Sequence, residues 1–115
     1  MGPDSSDIYQ TGGAGDDTLR IGAGEGDDFV RMNAGAGKDS MTYDVYPGND
    51  EVFLDGGTGK DALTINGGRQ NFTVVNAQGQ VLYHQGSGGT RIALRNVECL
   101  KVLGPEGEVL FQSGC

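Results

Sequence analysis

Residues 12–66 decide the fold of this chain. Divided into groups of eleven, they read GGAGDDTLRIG, AGEGDDFVRMN, AGAGKDSMTYD, VYPGNDEVFLD and GGTGKDALTIN. Every block has glycine at its fourth position and aspartate at its sixth. The eighth position is always apolar, and the tenth is apolar or tyrosine. Five copies that keep one register without an insertion indicate a repeat protein.

Each block divides into a turn and a strand. Positions seven to ten alternate between outward and inward side chains, as a half-buried β-strand does. Positions one to six are rich in glycine, which supplies positive φ and lets two backbones approach closely, and they end in a carboxylate. Position eleven holds residue types that open turns: Gly22, Asn33, Asp44, Asp55 and Asn66. The repeating unit is therefore strand, turn, strand, turn.

Stacking of these blocks arranges the aspartates in columns. If the chain reverses at every turn, alternate blocks lie on the same side of the molecule. The odd-block column is then Asp17, Asp39 and Asp61, and the even-block column is Asp28 and Asp50. Carboxylates about 4.8 Å apart, the strand spacing, repel one another unless a cation lies between them. Calcium takes hard oxygen ligands, whereas magnesium demands a tighter octahedron and zinc prefers Cys or His, so these turns favour calcium.

These motifs resemble a known family. Residues 12–20 and 56–64 match the G-G-x-G-x-D-x-U-x signature of the hemolysin-type, or RTX, calcium-binding repeats, and the three middle blocks match from their second or fourth position onward. The resemblance implies a right-handed parallel β-roll with calcium between stacked turns. It also implies a secreted protein exported by the type I secretion machinery. The period of eleven differs from the usual nine, and Val45–Pro47 replace the G-G-x of block four.

The resemblance also implies which atoms would bind calcium. Side-chain ligands would be the five aspartates at position six. Backbone carbonyl ligands would come from the turn glycines Gly13, Gly15, Gly24, Gly26, Gly35, Gly37, Gly57 and Gly59. Blocks one and three, three and five, and two and four would each enclose one ion, which gives about three complete sites. The outermost turns could add half-sites at the ends of the stack.

The predicted fold is all-β, with about two and a half coils of 22 residues and a C-terminal β cap, in one domain. Residues 1–11 form a degenerate N-terminal strand, residues 12–66 the repeats, and residues 67–115 the capping segment. Phe72 stands where a sixth aspartate would fall, which ends the ladder with an apolar residue. Within the cap we expect a hairpin of residues 72–75 and 81–83, strands at 91–94 and 97–103, and a last strand at 109–111.

Charge is distributed unevenly along the chain. The net charge is −8, and residues 1–66 hold 13 acidic and 4 basic residues, against 3 and 4 in residues 67–115. A glycine-rich segment with net charge −9 repels itself, so metal binding should be coupled to folding. The acidic balance argues against nucleic-acid binding, and the sequence shows no basic patch. No apolar run reaches the length of a membrane span.

Simpler interpretations remain for single features. One aspartate in a glycine-rich turn is usually only a turn former, but five in phase favour metal binding. A one-block coil with an ice-binding Thr face is disfavoured because Arg20, Phe29 and Phe53 interrupt the outward positions. His84 next to a hairpin favours a structural role. Cys99 could form a disulfide with Cys115, but we interpret it as a small buried hydrophobic residue.

The sequence predicts no catalytic residues, because it contains no nucleophile–base pair and no phosphate-binding loop before a helix. The predicted function is therefore that of a non-enzymatic, secreted calcium-binding module that folds outside the cell. The alternative is an adhesive or carbohydrate-binding module in which calcium is only structural. In that case outward-facing Phe29, Arg31 and Phe53 would contact a surface or a polysaccharide.

Overall fold

The computed structural model describes residues 7–22, 26–86 and 89–114. Within these ranges the chain forms eleven short β-strands and no helix. The strands are β1 Asp7–Thr11, β2 Thr18–Gly22, β3 Phe29–Asn33, β4 Ser40–Asp44, β5 Glu51–Asp55, β6 Ala62–Asn66, β7 Phe72–Asn76, β8 Val81–Gln85, β9 Thr90–Arg95, β10 Cys99–Leu103 and β11 Val109–Ser113. The absence of a helix in the described ranges also means that none could span a membrane there.

The strands form two sheets that wind as a solenoid. The odd-block sheet has the order β11-β10-β6-β4-β2, and the even-block sheet has the order β1-β3-β5-β9-β7-β8. Thr18 lies opposite Ser40, and Ser40 lies opposite Ala62, so each coil advances by 22 residues. The same step relates Phe29 to Glu51 in the other sheet. The parallel, all-β solenoid with 22-residue coils is confirmed.

The core lies between the two sheets. Positions eight and ten of every block point inward and are buried, while positions seven and nine are exposed or half-buried. In coil two, for example, Val30, Met32, Met41 and Tyr43 are fully buried. Each buried Val, Leu or Ile side chain contributes roughly 1.5–3 kcal/mol relative to its exposed state. A narrow core is therefore built from a few inward residues per coil.

The solenoid continues further than the sequence predicted. We expected about two and a half coils, but there are about four, because β9 pairs with β5 and β10 pairs with β6. The inward residues of this last coil are Ile92, Leu94, Leu100 and Val102. The β7–β8 hairpin is an insertion, and β7 lies on β9 instead of on the repeats. The apolar alternation of the last coil provides the physical reason for the extension.

Both sheets end in an antiparallel strand at this end of the stack. Strand β8 pairs antiparallel with β7, and β11 pairs antiparallel with β10. The predicted hairpin and the predicted last strand are thus confirmed, with slightly longer bounds. The rings of Phe72, Tyr83 and Phe111 cover the end of the core, with centroids 5.3 Å and 6.0 Å apart. At the other end, β1 pairs parallel with β3, as its phase predicted.

One prediction about the cysteines is wrong. Cys99 is disulfide-bonded and half-buried, and the described residues include no free cysteine. Cys99 lies at the start of β10, next to the C-terminal strand β11. The chain contains one other cysteine, Cys115, which lies outside the described residues.

Candidate metal centre

The aspartates at position six lie inside the turns that lead into the strands. Since positions eight and ten point inward, position six does so as well by the period of two along a strand. Asp28, Asp39, Asp50 and Asp61 are buried, with relative exposures between 1 and 4 %. Asp17 is half-buried because no coil covers its outer side. Both predicted columns are therefore present in the structure.

Hydrogen bonds join the members of each column. In the odd-block column, the backbone N–H of Asp17 donates to Oδ1 of Asp39 at 2.9 Å. The N–H of Asp39 donates in turn to Oδ1 of Asp61, also at 2.9 Å. In the even-block column, the N–H of Asp28 donates to Oδ1 of Asp50 at 2.7 Å. These are the same three pairs of blocks that the sequence predicted to face each other.

The backbone carbonyls of these aspartates hold the register of the following strands. The carbonyl of Asp17 accepts from the N–H of Ser40 at 2.8 Å, and that of Asp39 accepts from Ala62 at 2.9 Å. In the even-block column the carbonyl of Asp28 accepts from Glu51 at 2.9 Å. The aspartate backbone is thus fixed by the parallel ladder, and its carboxylate has little freedom to turn towards solvent.

In the odd-block column, each aspartate has one carboxylate oxygen that makes no hydrogen bond to the described residues. The Oδ2 atoms of Asp17, Asp39 and Asp61 are buried and have no hydrogen-bond partner among the described residues. A buried polar atom without a partner costs about 1–3 kcal/mol, and more when it carries charge. Burial raises the pKa of Asp61, and nearby Asp39 and Glu98 raise it further. A positive charge next to these oxygens would therefore stabilise the folded chain.

The even-block column shows the same electrostatic strain. Burial is the largest cause that raises the pKa of Asp50, and the charge of Asp28 adds to it. The hydroxyl of Tyr43 is also buried without a hydrogen-bond partner among the described residues. Burial raises the pKa of Tyr43, with further contributions from Asp50 and Asp28. A buried phenol oxygen therefore accompanies this column, which the sequence did not predict.

The turn glycines stack on one another through their carbonyl groups. A Cβ atom at Gly35 would collide with the carbonyl oxygen of Gly13, and one at Gly57 with that of Gly35. Gly37, Gly48 and Gly59 are related in the same way to Gly15, Gly26 and Gly37. Apart from Gly13, these stacked glycines have φ values between 75° and 132°. Of the eight predicted carbonyl donors, Gly24 lies outside the described residues.

The first glycine of a block borders the leftover carboxylate oxygen. A Cβ atom at Gly12 would lie 2.9 Å from Oδ2 of Asp17, and one at Gly56 would lie 2.8 Å from Oδ2 of Asp61. The same Cβ atoms would collide with the carbonyl oxygens of Ala34 and Asn96, respectively. Each of these turns thus contains a space, free of side chains, that carboxylate and carbonyl oxygens border. Hard oxygens in such a cradle suit Ca²⁺.

The structure adds two members to the columns that the sequence analysis missed. The backbone N–H of Asp61 donates to Oε1 of Glu98 at 2.7 Å, so Glu98 extends the odd-block column. The hydroxyl of Thr90 donates to Oδ2 of Asp50 at 3.3 Å, so Thr90 extends the even-block column. The sequence contains a pattern that could have identified both residues. Apolar residues follow Glu98 and Thr90 at the second and fourth positions, as they follow each repeat aspartate.

A second row of polar side chains runs beside the columns at position five. Oδ1 of Asp16 accepts from the N–H of Lys38 at 2.9 Å, and Oδ1 of Asp27 accepts from Asn49 at 3.0 Å. These side chains are exposed and join turns of adjacent coils from the outside. Block four, whose first three residues depart from the motif, still pairs with block two through these bonds. Its departure does not disrupt the stack.

Within the described residues no group of three or more His, Cys, Asp or Glu side chains gathers around one point. The predicted donor set is of another kind, with two carboxylates per pair of turns and carbonyl oxygens for the rest, and the buried leftover oxygens fit it. His84 is exposed, and its Nδ1 lies 2.8 Å from the hydroxyl of Thr73 on the paired strand. Comparison with protein-family models, curated proteins and solved structures finds no match.

Proposed function

We propose that this chain is a calcium-binding β-roll module, similar to the RTX repeats, from a secreted bacterial protein. In this proposal it is not an enzyme, and its role is to fold when it reaches calcium outside the cell. The type I secretion machinery would export the parent protein. The single observation that carries the proposal is the odd-block column of aspartates, whose buried Oδ2 atoms lack a hydrogen-bond partner among the described residues.

The residues that would hold the ions follow from the stacking. The paired side chains are Asp17 with Asp39, Asp39 with Asp61, and Asp28 with Asp50. Carbonyl oxygens of the turn glycines would complete each set, giving about three sites. Asp61 with Glu98, and Asp50 with Thr90, are candidates for additional sites towards the capped end.

Bound calcium would supply the positive charge that allows neighbouring buried carboxylates to remain ionised. The chain itself contributes the geometry, since the parallel ladder fixes the backbone of each aspartate. Without that charge, residues 12–66 would bring like charges together in a segment with few apolar residues. Folding and metal binding are then one equilibrium, as in other domains whose sites do not exist in the unfolded chain.

The expected affinity is that of an extracellular module, on the order of 10⁻⁴–10⁻³ M. At such an affinity the repeats would remain unfolded at cytosolic calcium levels and could pass through an export channel. Outside the cell the turns would fill and the coils would stack. The unfolded chain would thus be the exported state, and the folded, calcium-bound chain would be the functional state.

Calorimetric titration with calcium tests the proposal. Wild type should bind about three ions, and Asp39→Asn should remove a ligand from two of the three pairs, which lowers the stoichiometry and weakens binding by at least about tenfold. The matched control is Glu51→Gln, which removes the same charge next to Asp50 from an exposed side chain. Equal effects of the two variants, or no heat with wild type, would contradict the proposal.

A further inference from the structure

The outer face of the even-block sheet carries a groove that the calcium proposal does not use. It has a volume of about 520 Å³ and runs across the strands β1, β3, β5 and β9, with the hairpin turn at Ala77 at one side. Its central row consists of Tyr9, Arg31, Phe53 and Ala93, which are neighbours in the strand register. Ala93 lies beside Phe53, and its small side chain leaves the groove open there. This volume is typical of ligand sites.

Two aromatic residues, Tyr9 and Phe53, line this groove, and Phe29 lies outside the lining between their rings. The ring of Phe29 lies 6.4 Å from that of Tyr9 and 5.7 Å from that of Phe53, between centroids. The rings are tilted by 48° and 45° to each other, so they do not form a parallel slot. Tyr9 is 64 % exposed, which is unusual for so large a side chain next to other rings. Such rings offer apolar faces with a polar edge.

Three arginines on this face form no ion pair with a carboxylate of the described residues. Arg31, Arg91 and Arg95 point outward from β3 and β9, and the described residues contain a single ion pair, Arg20 with Asp44 on the other sheet. The guanidinium of Arg31 lies 6.0 Å from the centre of the Phe53 ring. Asp55, opposite Arg95, accepts instead from the N–H of Gly57 and the side chain of Asn96. Three guanidinium groups therefore lie on one face of an otherwise acidic protein, with Glu51 opposite Arg91 in the strand register.

We propose that this groove binds an acidic polysaccharide, that is, a chain of pyranose rings that carry carboxylates. The C–H faces of the sugar rings would pack on Tyr9 and Phe53. Their carboxylates would pair with Arg31 and Arg95, whose planar fork fits a carboxylate with two hydrogen bonds. Thr11 and Asn33, which are neighbours in the strand register on this outer face, also line the groove and offer partners for sugar hydroxyls. Calcium would take no direct part in this site, because no aspartate of the columns lines the groove.

Single-stranded nucleic acid would also combine rings and negative charge, but it fits less well. Its affinity depends mainly on many contacts between phosphates and basic residues, whereas this face offers three arginines on a molecule of net charge −8. The tilted rings also lack the open parallel face on which successive bases stack. The observations therefore favour the sugar chain.

Oligogalacturonates too short to gel with calcium provide the test. Binding is measured by calorimetry at saturating calcium, with circular dichroism on each variant to verify the fold. Arg31→Gln and Tyr9→Ala should each weaken binding by about tenfold, while Arg20→Gln should change it less than about twofold. Arg20 and Arg31 occupy the same block position on opposite faces, which makes them a matched pair.

Several results would overturn the inference while leaving the calcium proposal intact. These are the absence of binding by calcium-loaded wild type, equal losses in Arg31→Gln and Arg20→Gln, or equal affinity for neutral cello-oligosaccharides. Tighter binding of an oligothymidylate than of the oligogalacturonate would assign the groove to nucleic acid instead.

Discussion

A buried aspartate needs partners for both of its oxygens, and in the odd-block column the described residues supply a partner for at most one. Oδ1 of Asp39 accepts a backbone N–H from the coil below, while its Oδ2 is buried and unpartnered among the described residues. The same holds for Asp61, whose Oδ1 accepts from Asp39. Repeated coil after coil, this arrangement would destabilise the protein unless a cation completes it. At the scale of the residue, the columns therefore imply a missing positive charge.

Alanine substitutions at two turn glycines can separate the cost of a positive φ from the cost of a steric collision between coils. Gly15 and Gly37 have similar φ values, 98° and 109°, so Gly15→Ala and Gly37→Ala both force alanine into the left-handed region. A Cβ at Gly15 meets nothing within 4 Å, whereas one at Gly37 collides with the carbonyl of Gly15. We expect a loss of unfolding free energy of about 1 kcal/mol for Gly15→Ala, and of more than about 2 kcal/mol for Gly37→Ala.

Denaturant unfolding at saturating calcium measures both losses. Both variants carry the same φ penalty, so the difference between them reports on the stacking of carbonyls between coils. If Gly37→Ala were as mild as Gly15→Ala, the close contact between turns would not constrain the stack.

Most of the candidate site followed from the repeat alone. Position six marks five aspartates, and a period of eleven with two blocks per coil pairs them across 22 residues, as the hydrogen bonds do. Glu98 and Thr90 were missed because they lie 37 and 40 residues after their partners, so the fixed spacing does not reach them. The buried hydroxyl of Tyr43 could not be predicted, because a tyrosine at an inward position of a strand predicts only a core residue.

Among the secondary-structure elements, the two hairpins at the C-terminal end determine where the solenoid stops. Parallel stacking could continue from β7 and β10, but β8 and β11 turn back and end each sheet antiparallel. Phe72 lies in the even-block column above Thr90, where an aspartate would otherwise stand. An aromatic ring at this point closes the core and cannot bind a cation through oxygen. Atypical terminal units of this kind are required in solenoids.

Removal of the capping ring should destabilise the whole stack. We expect Phe72→Ala to lower the unfolding free energy by about 3–5 kcal/mol, because it empties a fully buried site, and to lower the melting temperature in calcium accordingly. Val81→Ala on the neighbouring strand is the control, since this exposed side chain should matter by less than about 0.5 kcal/mol. A melting temperature for Phe72→Ala equal to that of the control would show that the hairpin does not cap the core.

The strands of the repeats were predictable to within one residue, because position eleven, which we expected to open each turn, is the last residue of each strand. The path of the chain after Asn66 was not predictable. Residues 67–77 continue the eleven-residue phase, so the sequence favours β7 stacked directly on β5. The structure inserts β9 between them. Thr90–Arg95 carries the same inward alternation, and nothing local distinguishes which of the two strands is the neighbour of β5. With β9 as the neighbour of β5, the following strand β10 pairs with β6 in the other sheet. This second pairing is not visible in the local sequence.

At the scale of the whole molecule, the raised pKa values predict opposite responses to acid with and without calcium. Burial raises the pKa of Asp50 and Asp61 above the ordinary value of 3.8. Their protonated forms therefore favour the folded state, and this contribution is complete below about 3.8 and lost as the pH rises through the raised values. Metal-free protein should gain β-structure on acidification, whereas calcium-loaded protein should lose it as protons displace the ion.

Circular dichroism as a function of pH checks this, with metal removed by chelating resin, because soluble chelators weaken in acid. Asp50→Asn with Asp61→Asn mimics the neutral forms and should reduce the metal-free dependence on pH. Metal-free wild type that loses structure on acidification would contradict the prediction.

The central claim of the proposal is that this acidic solenoid exists only when cations lie between the stacked aspartates of each column. Small-angle X-ray scattering measures this most directly, in calcium and after removal of calcium with EDTA. The folded chain has a Cα radius of gyration of 13.0 Å, and an unfolded chain of this length has one of about 34 Å. We predict a value near the folded one in calcium and a large increase towards the unfolded one in EDTA. An unchanged, compact radius in EDTA would contradict the claim.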